Sequence, residues 1–450
     1  MLQQTQDERL QHLADKIEAS GTIDRALYDH YRVKRGLRYK DGTGVLVGIT
    51  KVGYVTGYEK VDDKKIPREG DLMYRGYSIL DLVGDALEHN RHCYEEIIYL
   101  LLFGELPSQQ SLRNFKDILN QETYLPEHYL EDVILKTPSP NIMNKMMQSV
   151  LALYSRDAEP EDITTMNVLR QSVSLIAKMP LIMSYSYSAK RHYIDGCSLF
   201  IHYPDKSKSI AENILHLIRK DSTYTAEEAK ILDLMLVLHA EHGGGNNSTF
   251  ATHVVSSSGT DTYSAIATAL GALKGPRHGG ANLMADAMLA NIRENVRDME
   301  NEAELSDYLR RILAGDAFDG KGLIYGLGHA VYTKSDPRAL LLKEQARSLA
   351  KVKGYEEDLA FVERVERLGG AIVQEKNDTS YPACANVDLY SGLVYRMLNI
   401  PLDLYTPLFA LSRMAGWCAH RLEQIQDTKI IRPAYVNLGG KKRYKAMDER

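Results

Sequence analysis

Histidines flanked by glycines occur at three places in the chain: His239 and His242 in HAEHGGGNNS, His278 in GPRHGGAN, and His329 in GLGHAV. Two histidines spaced like the first pair are a weak zinc signal, because structural sites need four protein ligands and catalytic sites three. Taken singly, each histidine is best interpreted as a buried, hydrogen-bonded side chain. Three such clusters in one chain favour a shared site, since glycines let a ligand approach the backbone closely.

Two of these histidines stand where they can act on a carbonyl group. His278 precedes a helix predicted to begin near Ala281, so its ring is expected near free backbone N–H groups and the positive end of a helix dipole. That environment disfavours imidazolium, and a neutral imidazole can donate a hydrogen bond to a developing enolate. His329 and Arg338 together could hold a keto acid, the imidazole polarising its carbonyl and the guanidinium forking onto its carboxylate.

Three further residues fit the same chemistry. Asp388 stands at a predicted helix start, where an acid most often serves as a cap or first-turn residue. Arg413 and Arg432 could each be ordinary surface charges. In combination, glycine-flanked histidines, a helix-start carboxylate and several arginines are the residue types that carbanion chemistry on a dicarboxylate requires.

The bulk properties restrict the class of protein. The 450 residues are 44% hydrophobic and 26% charged, with a net charge of -5, which gives no reason to expect nucleic acid as a partner. The 4 cysteines form no CxxC pair, so neither a disulfide framework nor a zinc ribbon is predicted. No signal peptide or apolar run of transmembrane length is present. We therefore expect a cytoplasmic protein with no membrane partner.

The hydrophobic pattern predicts a mainly α fold. Thr225 and Glu228 form a capping box, and Gly243 is the expected C-terminal stop of the helix that follows. The Gly- and Val-rich stretch 42–76, with DDKK between two candidate strands, predicts a small hairpin. Helices are predicted at 141–154, 167–178, 225–241, 281–297, 305–313, 359–369, 391–398 and 408–424.

In chain order, HAEHGGGNNS, GPRHGGAN, GLGHAVYTKSDPRA, CANVDLYSG, RMAGWCAHR and RP resemble the citrate synthase family, over most of the chain from Tyr74 to Pro433. The resemblance implies a multihelical fold and a homodimer. It also implies a large domain, 1–279 and 400–450, for dimerisation and oxaloacetate binding. A smaller inserted helical domain, 280–399, would carry the CoA site and the catalytic aspartate.

The resemblance further implies a reaction of the tricarboxylic acid cycle. Asp388 would take a methyl proton from acetyl-CoA, His278 would hydrogen-bond the resulting enol, and His329 would polarise the keto oxygen of oxaloacetate. Condensation would give citryl-CoA, which water cleaves to citrate and CoA. The reaction needs no cofactor, since acetyl-CoA is a substrate.

Binding residues are implied in the same way. His242, Arg338 and Arg413 would hold oxaloacetate from the same chain, and Arg432 would come from the other subunit. His239 matches a histidine that the family keeps without using it directly, so no metal is predicted at this pair or elsewhere. The implied CoA contacts are Leu323, Tyr325, Gly326, Leu327, Gly328, Lys334 and Lys376.

The chain departs from the family pattern at three positions, and two other functions are compatible with its sequence. Many members have His-x-Asp-His-Glu where this chain has Glu241 and Gly243. Many also have Arg or Lys at the position of Thr333, where that side chain would contact a CoA phosphate. In this chain Lys334 or Lys376 could make that contact instead. A 2-methylcitrate synthase using propionyl-CoA is the near alternative, because one methylene is worth only about 1 to 3 kcal/mol. A non-catalytic metal- or ligand-binding protein is the remote one.

Overall fold

The computed structural model describes residues 6–62 and 64–450, which fall into two compact units. The first comprises Met1–Val47, as far as it is described, and Arg432–Arg450. It contains α1 (Gln6–Gly21), α2 (Ala26–His30) and the short 3-10 turns Arg35–Leu37 and Met447–Glu449. The second unit is Gly48–Ile431.

The second unit is mostly helical, which confirms the predicted fold class. Its strands are β1 (Gly53–Val61), β2 (Lys64–Tyr74) and β3 (Tyr77–Ser78). A π turn at Leu130–Leu135 and a 3-10 turn at Leu402–Leu404 complete it. Its helices are α3 (Ile79–Glu88), α4 (Tyr94–Phe103), α5 (Gln109–Glu122), α6 (Ile142–Tyr154), α7 (Thr165–Tyr193), α8 (Ile210–Ile218), α9 (Ala226–His239), α10 (Asn247–Ser256), α11 (Thr262–Lys274), α12 (Ala281–Asn295), α13 (Glu302–Ala314), α14 (Pro337–Lys353), α15 (Glu356–Asn377), α16 (Val387–Met397) and α17 (Tyr405–Gln424).

The sheet is the predicted hairpin with one short added strand. β1 and β2 pair antiparallel from Gly53 opposite Tyr74 to Val61 opposite Lys64, and β3 continues the sheet in the order β1-β2-β3. The predicted stretch begins at 42, whereas β1 begins only at Gly53. Asp63, in the connection between the strands, lies outside the described residues.

All eight predicted helices are present, with shifted ends. The largest extension is α7, which continues to Tyr193 with Pro180 inside it. The capping box of α9 forms as predicted, with the Thr225 hydroxyl on the Glu228 N–H and the Glu228 carboxylate on the Thr225 N–H. Residues 280–399 lie within the second unit, and their division into a separate domain stays a prediction.

The core of the second unit is built around α17. This helix is buried along almost its whole length and packs against α4, α7, α9, α10 and α11. Two of its buried side chains are arginines, Arg413 and Arg421, and burying a charge is costly unless it is paired or has a ligand to meet. In the described part of the chain, no helix is both long and apolar enough to cross a membrane.

Candidate active site

Two predicted ligands, His242 and His329, lie side by side although the sequence separates them widely. Their ring centroids are 5.1 Å apart, and both rings contact Tyr332, at 5.6 Å from His242 and 4.5 Å from His329. His242 follows the end of α9, and His329 lies in the loop before α14. Burial first, and then the charge of Arg338, lower the pKa of His242 well below its usual value, so its ring is neutral.

Arg338 is fixed at the start of α14 by its neighbour Asp336. Asp336 is the N-cap, and its carboxylate accepts from the Arg338 backbone N–H at 3.0 Å and from the guanidinium at 3.0 and 2.7 Å. Pro337 occupies the first helical position, where its fixed φ fits. The guanidinium lies 5.7 Å from the centre of the Tyr332 ring, so Arg338 joins the cluster around His242 and His329.

Arg413 is a buried guanidinium whose two terminal nitrogens have no hydrogen-bond partner in the described chain. Its Nε donates to the carbonyl oxygen of His239 at 2.6 Å, while both terminal nitrogens are buried and have no partner among the described residues. Burial lowers the pKa of Arg413 to about 10, so the side chain is still charged at neutral pH. A fully buried guanidinium with two unused nitrogens is suited to bind a carboxylate in bidentate fashion.

The tautomer of His329 follows from its local backbone. The N–H groups of Val331 and Tyr332 both donate to His329 Nδ1, each at 3.1 Å. Because Nδ1 accepts, the proton of the neutral ring is on Nε2. Nε2–H is therefore the hydrogen-bond donor of the His329 ring.

His278 is also held as a neutral ring, but by a different helix from the predicted one. The Ser248 N–H, in the first turn of α10, donates to His278 Nε2 at 3.4 Å, and the Ser248 hydroxyl lies 3.1 Å from the same atom. Burial first, and then the charge of Arg413, lower the pKa of His278 to about 4. With Nε2 accepting, Nδ1–H is left as the donor.

Asp388 is positioned by the cap of α16. Asn386 is the N-cap, and its side chain accepts from the Asp388 N–H at 3.0 Å, which leaves the Asp388 carboxylate uninvolved in capping. Burial raises the pKa of Asp388 to about 6, against the lowering effects of Arg338 and Arg413. The same two arginines thus act on this carboxylate and on the histidines, so six predicted residues share one site.

The predicted CoA loop supports the start of α16. The Asn386 N–H donates to the Gly326 carbonyl oxygen at 2.9 Å, and its side-chain amide to that of Gly328 at 2.9 Å. Leu327 pairs with Ala385 as an isolated bridge. A Cβ at Gly326 would lie 2.7 Å from the Leu389 Cβ, so only glycine lets this loop lie against the helix that carries Asp388.

The other predicted CoA contacts are spread more widely. Leu323 and Lys334 are exposed, and Tyr325 donates from its hydroxyl to Asp319 at 2.7 Å. Lys334 lines a cleft of about 880 Å³ beside the segment that precedes α16. Lys376 donates to the Leu313 carbonyl oxygen at 2.9 Å and does not line that cleft.

The hairpin holds the loop that runs from His329 to the start of α14, where Arg338 lies. The hydroxyl of Thr333, the residue that departs from the family pattern, is buried and bonds to the carbonyl oxygens of Gly57 and, at 3.0 Å, Arg68. The Gly70 N–H donates to the Ser335 hydroxyl at 3.1 Å. Thr333 is therefore a packing and tethering residue here, pointing into the protein.

The other departure, Glu241, is a buried carboxylate next to His242. Its Oε1 accepts from the Gly243 N–H and from His420 Nε2 at 3.0 Å. A Cβ at Gly416 would lie 2.3 Å from Glu241 Oε2 and 2.5 Å from the Ala240 carbonyl oxygen. Gly416 thus makes room on α17 for this acid.

His239 is a structural residue in this arrangement. Its Nδ1–H donates to the Met235 carbonyl oxygen at 2.7 Å, its ring packs against Phe409, and burial lowers its pKa to about 3. Within the described residues, neither His239 nor His242 belongs to a group of three metal-ligating side chains. Arg432, the remaining predicted ligand, is an exposed residue of the first unit.

Sequence reasoning missed the residues that orient the site. Ser248 fixes His278, Asp336 fixes Arg338, and Tyr332 contacts the rings of both His329 and His242. Only Asp336 had a sequence signal, an acid before Pro-Arg at a helix start, which is a common N-cap pattern. Ser248 and Tyr332 act through contacts that no local pattern reveals.

The comparisons with known proteins agree with this geometry. The family model for the citrate synthase C-terminal domain matches residues 39–434. The citrate synthase of Haloferax volcanii is 34% identical over 406 residues, 89% of this chain and 94% of that protein. The 2-methylcitrate synthase 2 of Corynebacterium glutamicum is 31% identical over 386 residues, 85% of this chain and 92% of that protein.

Solved structures show the same likeness. The citrate synthase of Thermoplasma acidophilum, in a ternary complex with carboxymethyl coenzyme A and oxaloacetate, has a TM-score of 0.75 and 28% identity, covering 93% of this chain and 99% of that one. Fold and site together define a helical condensing enzyme of the acyltransferase type. The chain belongs to the citrate synthase family. The family needs no cofactor, because CoA enters as part of a substrate.

Proposed function

We propose that this enzyme condenses acetyl-CoA with oxaloacetate and hydrolyses the resulting thioester to citrate and CoA. The observation that carries the proposal is that two imidazole donors and a carboxylate base lie around the buried guanidinium of Arg413. His278 offers Nδ1–H, His329 offers Nε2–H, and Arg413 offers two unused nitrogens. Such positioned donors are what a reaction through an enol requires.

The side chains account for each proton in the condensation. The ionised Asp388 accepts a proton from the thioester methyl group, while His278 donates a hydrogen bond to the thioester oxygen as the enol forms. The enolate carbon attacks the keto carbon of oxaloacetate, and the keto oxygen takes up the Nε2 proton of His329. The proton that Asp388 accepted is then released to solvent, and His329 regains its Nε2 proton from solvent before the next turnover. Arg338, Arg413 and His242 bind the carboxylates of oxaloacetate and fix which face is attacked.

The second stage is hydrolysis of the new thioester. Water adds to the thioester carbon of citryl-CoA, the carbon–sulfur bond breaks, and citrate and CoA thiol leave. Bulk water would protonate the enol before it attacks oxaloacetate and could hydrolyse the thioester too early. The site must therefore exclude bulk water during condensation. The partly enclosed positions of His278 and Asp388 support this requirement.

CoA lies, in this proposal, along the Gly326 to Gly328 loop, with its phosphates near Lys334. The loop also supports the N-cap of α16, so CoA binding bears directly on the position of Asp388. The active enzyme is a cytoplasmic homodimer in which Arg432 of the second chain completes the oxaloacetate site. The exposure of Arg432 leaves it available for that role.

The test is a comparison of kcat/KM for acetyl-CoA and propionyl-CoA with saturating oxaloacetate, followed by release of free thiol. A preference for acetyl-CoA of tenfold or more is expected. The opposite preference would identify a 2-methylcitrate synthase, an activity that the Corynebacterium relative is named for. No thiol release with either substrate would refute the condensation altogether.

A further inference from the structure

Away from the proposed active site, three potential metal ligands meet between α10 and α17. His253 lies on α10, and His420 and Glu423 lie one turn apart on α17. One ligand atom from each of the three lies within 4.8 Å of the others, the single group of this kind in the part of the chain described. No local sequence pattern predicts this cluster, because His253 and His420 are far apart in the chain.

Both imidazoles of this cluster use their outer nitrogen as a donor. His420 Nε2 lies 3.0 Å from a carboxylate oxygen of Glu241, and His253 Nδ1 lies 2.8 Å from the amide oxygen of Gln424. Both of these oxygens can only accept, so each outer nitrogen carries a proton. In each ring the other nitrogen, the inner one, points into the cluster.

The two inner nitrogens face each other across a short gap. His253 Nε2 and His420 Nδ1 are only 3.0 Å apart. The Thr50 hydroxyl, 3.4 Å from His420 Nδ1, has one hydrogen and can serve one of the two nitrogens. A proton or a metal cation between the two inner nitrogens can contact both at once.

A carboxylate oxygen adds negative charge at the same point. Glu423 Oε2 is buried, has no hydrogen-bond partner among the described residues, and lies 3.9 Å from His420 Nδ1. Its other oxygen accepts from the Lys51 N–H at 2.7 Å, which fixes the direction of the carboxylate. Two imidazole nitrogens and one carboxylate oxygen thus converge on one point, where a single cation can contact all three.

We propose that His253, His420 and Glu423 bind a divalent transition-metal cation of the zinc type. Two imidazoles and one carboxylate are a ligand set that suits Zn²⁺, with a fourth position left for solvent. In a tetrahedral site neighbouring ligand atoms are about 3.3 Å apart. The two nitrogens, now 3.0 Å apart, must therefore separate slightly and turn toward the cation, and Glu423 Oε2, now 3.9 Å from His420 Nδ1, must approach. Glu241 and Gln424 supply the outer hydrogen bonds that orient metal-bound histidines.

The cation links helices α10 and α17, both of which carry residues of the proposed active site. α10 begins just after the glycine loop that follows His242, and α17 carries Arg413. Glu241, the residue before His242, is bonded to the metal ligand His420. The cation touches no reacting atom, so it stabilises the fold without being a catalytic metal, and the site is separate from His239 and His242.

The test uses the full-length protein, stripped of metal with a chelator and titrated with Zn²⁺ by calorimetry. About one equivalent is expected to bind, at least tenfold more weakly in His253→Gln and in Glu423→Gln. In Glu423→Gln the new amide oxygen can still accept from the Lys51 N–H, so the fold should be retained. The control His128→Gln removes a histidine whose side chain is 72% exposed and should leave binding unchanged.

Two further measurements locate the cation. Co²⁺ in place of zinc should give visible absorption bands of a tetrahedral site, which His253→Gln abolishes. Zinc should also raise the thermal midpoint of the wild type but not that of His253→Gln. The proposal is overturned by the absence of binding, by equal binding in His253→Gln and wild type, or by binding lost in His242→Gln but kept in His253→Gln.

Discussion

Replacing Asp388 by asparagine should abolish turnover and, at neutral pH, make the fold more stable. The carboxylate is ionised in the working enzyme, yet its surroundings disfavour that ionised form. Asparagine has nearly the same shape and no charge. The expected result is therefore an inactive enzyme that resists unfolding better than the wild type.

The size of the expected stability change follows from the pKa of Asp388. Burial raises the pKa of Asp388 from 3.8 to about 6, and each unit is worth about 1.4 kcal/mol. The ionised side chain therefore costs the folded state at most about 3 kcal/mol, and about 1 to 2 kcal/mol after allowing for its partial exposure. Since the pKa is higher in the folded state, the cost is complete above about pH 6 and absent below about pH 4.

The assay combines urea unfolding at pH 7.5 and pH 4.5, at one chain concentration, with thiol-release kinetics. Asp388→Asn should be more stable than wild type at pH 7.5 and close to it at pH 4.5. Its kcat should fall by at least about 10² to 10⁴-fold, the usual contribution of a general base. In the wild type, kcat/KM should rise with pH through about 6, because the base must be ionised.

The matched control is Asp81→Asn, an exposed acid in the first turn of α3. Both variants lose a first-turn charge, which costs about 0.3 to 1 kcal/mol through the helix dipole. Only Asp388→Asn should gain the compensating stability. The reasoning is refuted if Asp388→Asn keeps more than a tenth of the activity, or if its stability relative to wild type is the same at both pH values.

Three other changes test the supporting contacts. Arg413→Lys keeps the positive charge but loses the paired guanidinium nitrogens that would bind a carboxylate. The KM for oxaloacetate should therefore rise about 10- to 100-fold, as expected for charged hydrogen bonds worth about 1.5 to 3 kcal/mol. An unchanged KM would show that Arg413 does not bind oxaloacetate. Thr333→Val should lower the free energy of unfolding by about 1 to 3 kcal/mol, because carbonyl oxygens of the hairpin lose their partner, whereas Thr333→Ser should be close to wild type. Gly416→Ala should destabilise by about 1 to 3 kcal/mol through its clash with Glu241, measured by urea unfolding against Gly84→Ala, where a Cβ meets nothing within 4 Å.

Local patterns in the sequence accounted for much of the fold. The capping box at Thr225 and Glu228 depends on residues within one turn, so it could be predicted directly. The same is true of the hairpin and of the eight predicted helices. The types of the six clustered site residues and their order along the chain could also be predicted, because the chemistry of a side chain depends on its residue type.

Helix ends and proton positions were decided by tertiary contacts. α9 was predicted to reach Glu241 but ends at His239, because the Tyr74 hydroxyl donates to the Val237 carbonyl oxygen at 2.9 Å and accepts from the Glu241 N–H at 3.3 Å. It thus replaces the hydrogen bond that would continue the helix. Tyr74 lies on the hairpin, and no helical pattern predicts its insertion.

The site shows the same division. Sequence alone placed His278 before the helix that begins at Ala281, and that placement is right. The N–H group that fixes its tautomer nevertheless belongs to Ser248 on α10, and the partner of Glu241 is His420 on α17. A sequence specifies which groups can donate, accept or carry charge. Only the packing of distant helices decides which of them meet, because hydrogen bonds depend on distances of about 3 Å that no spacing along the chain encodes.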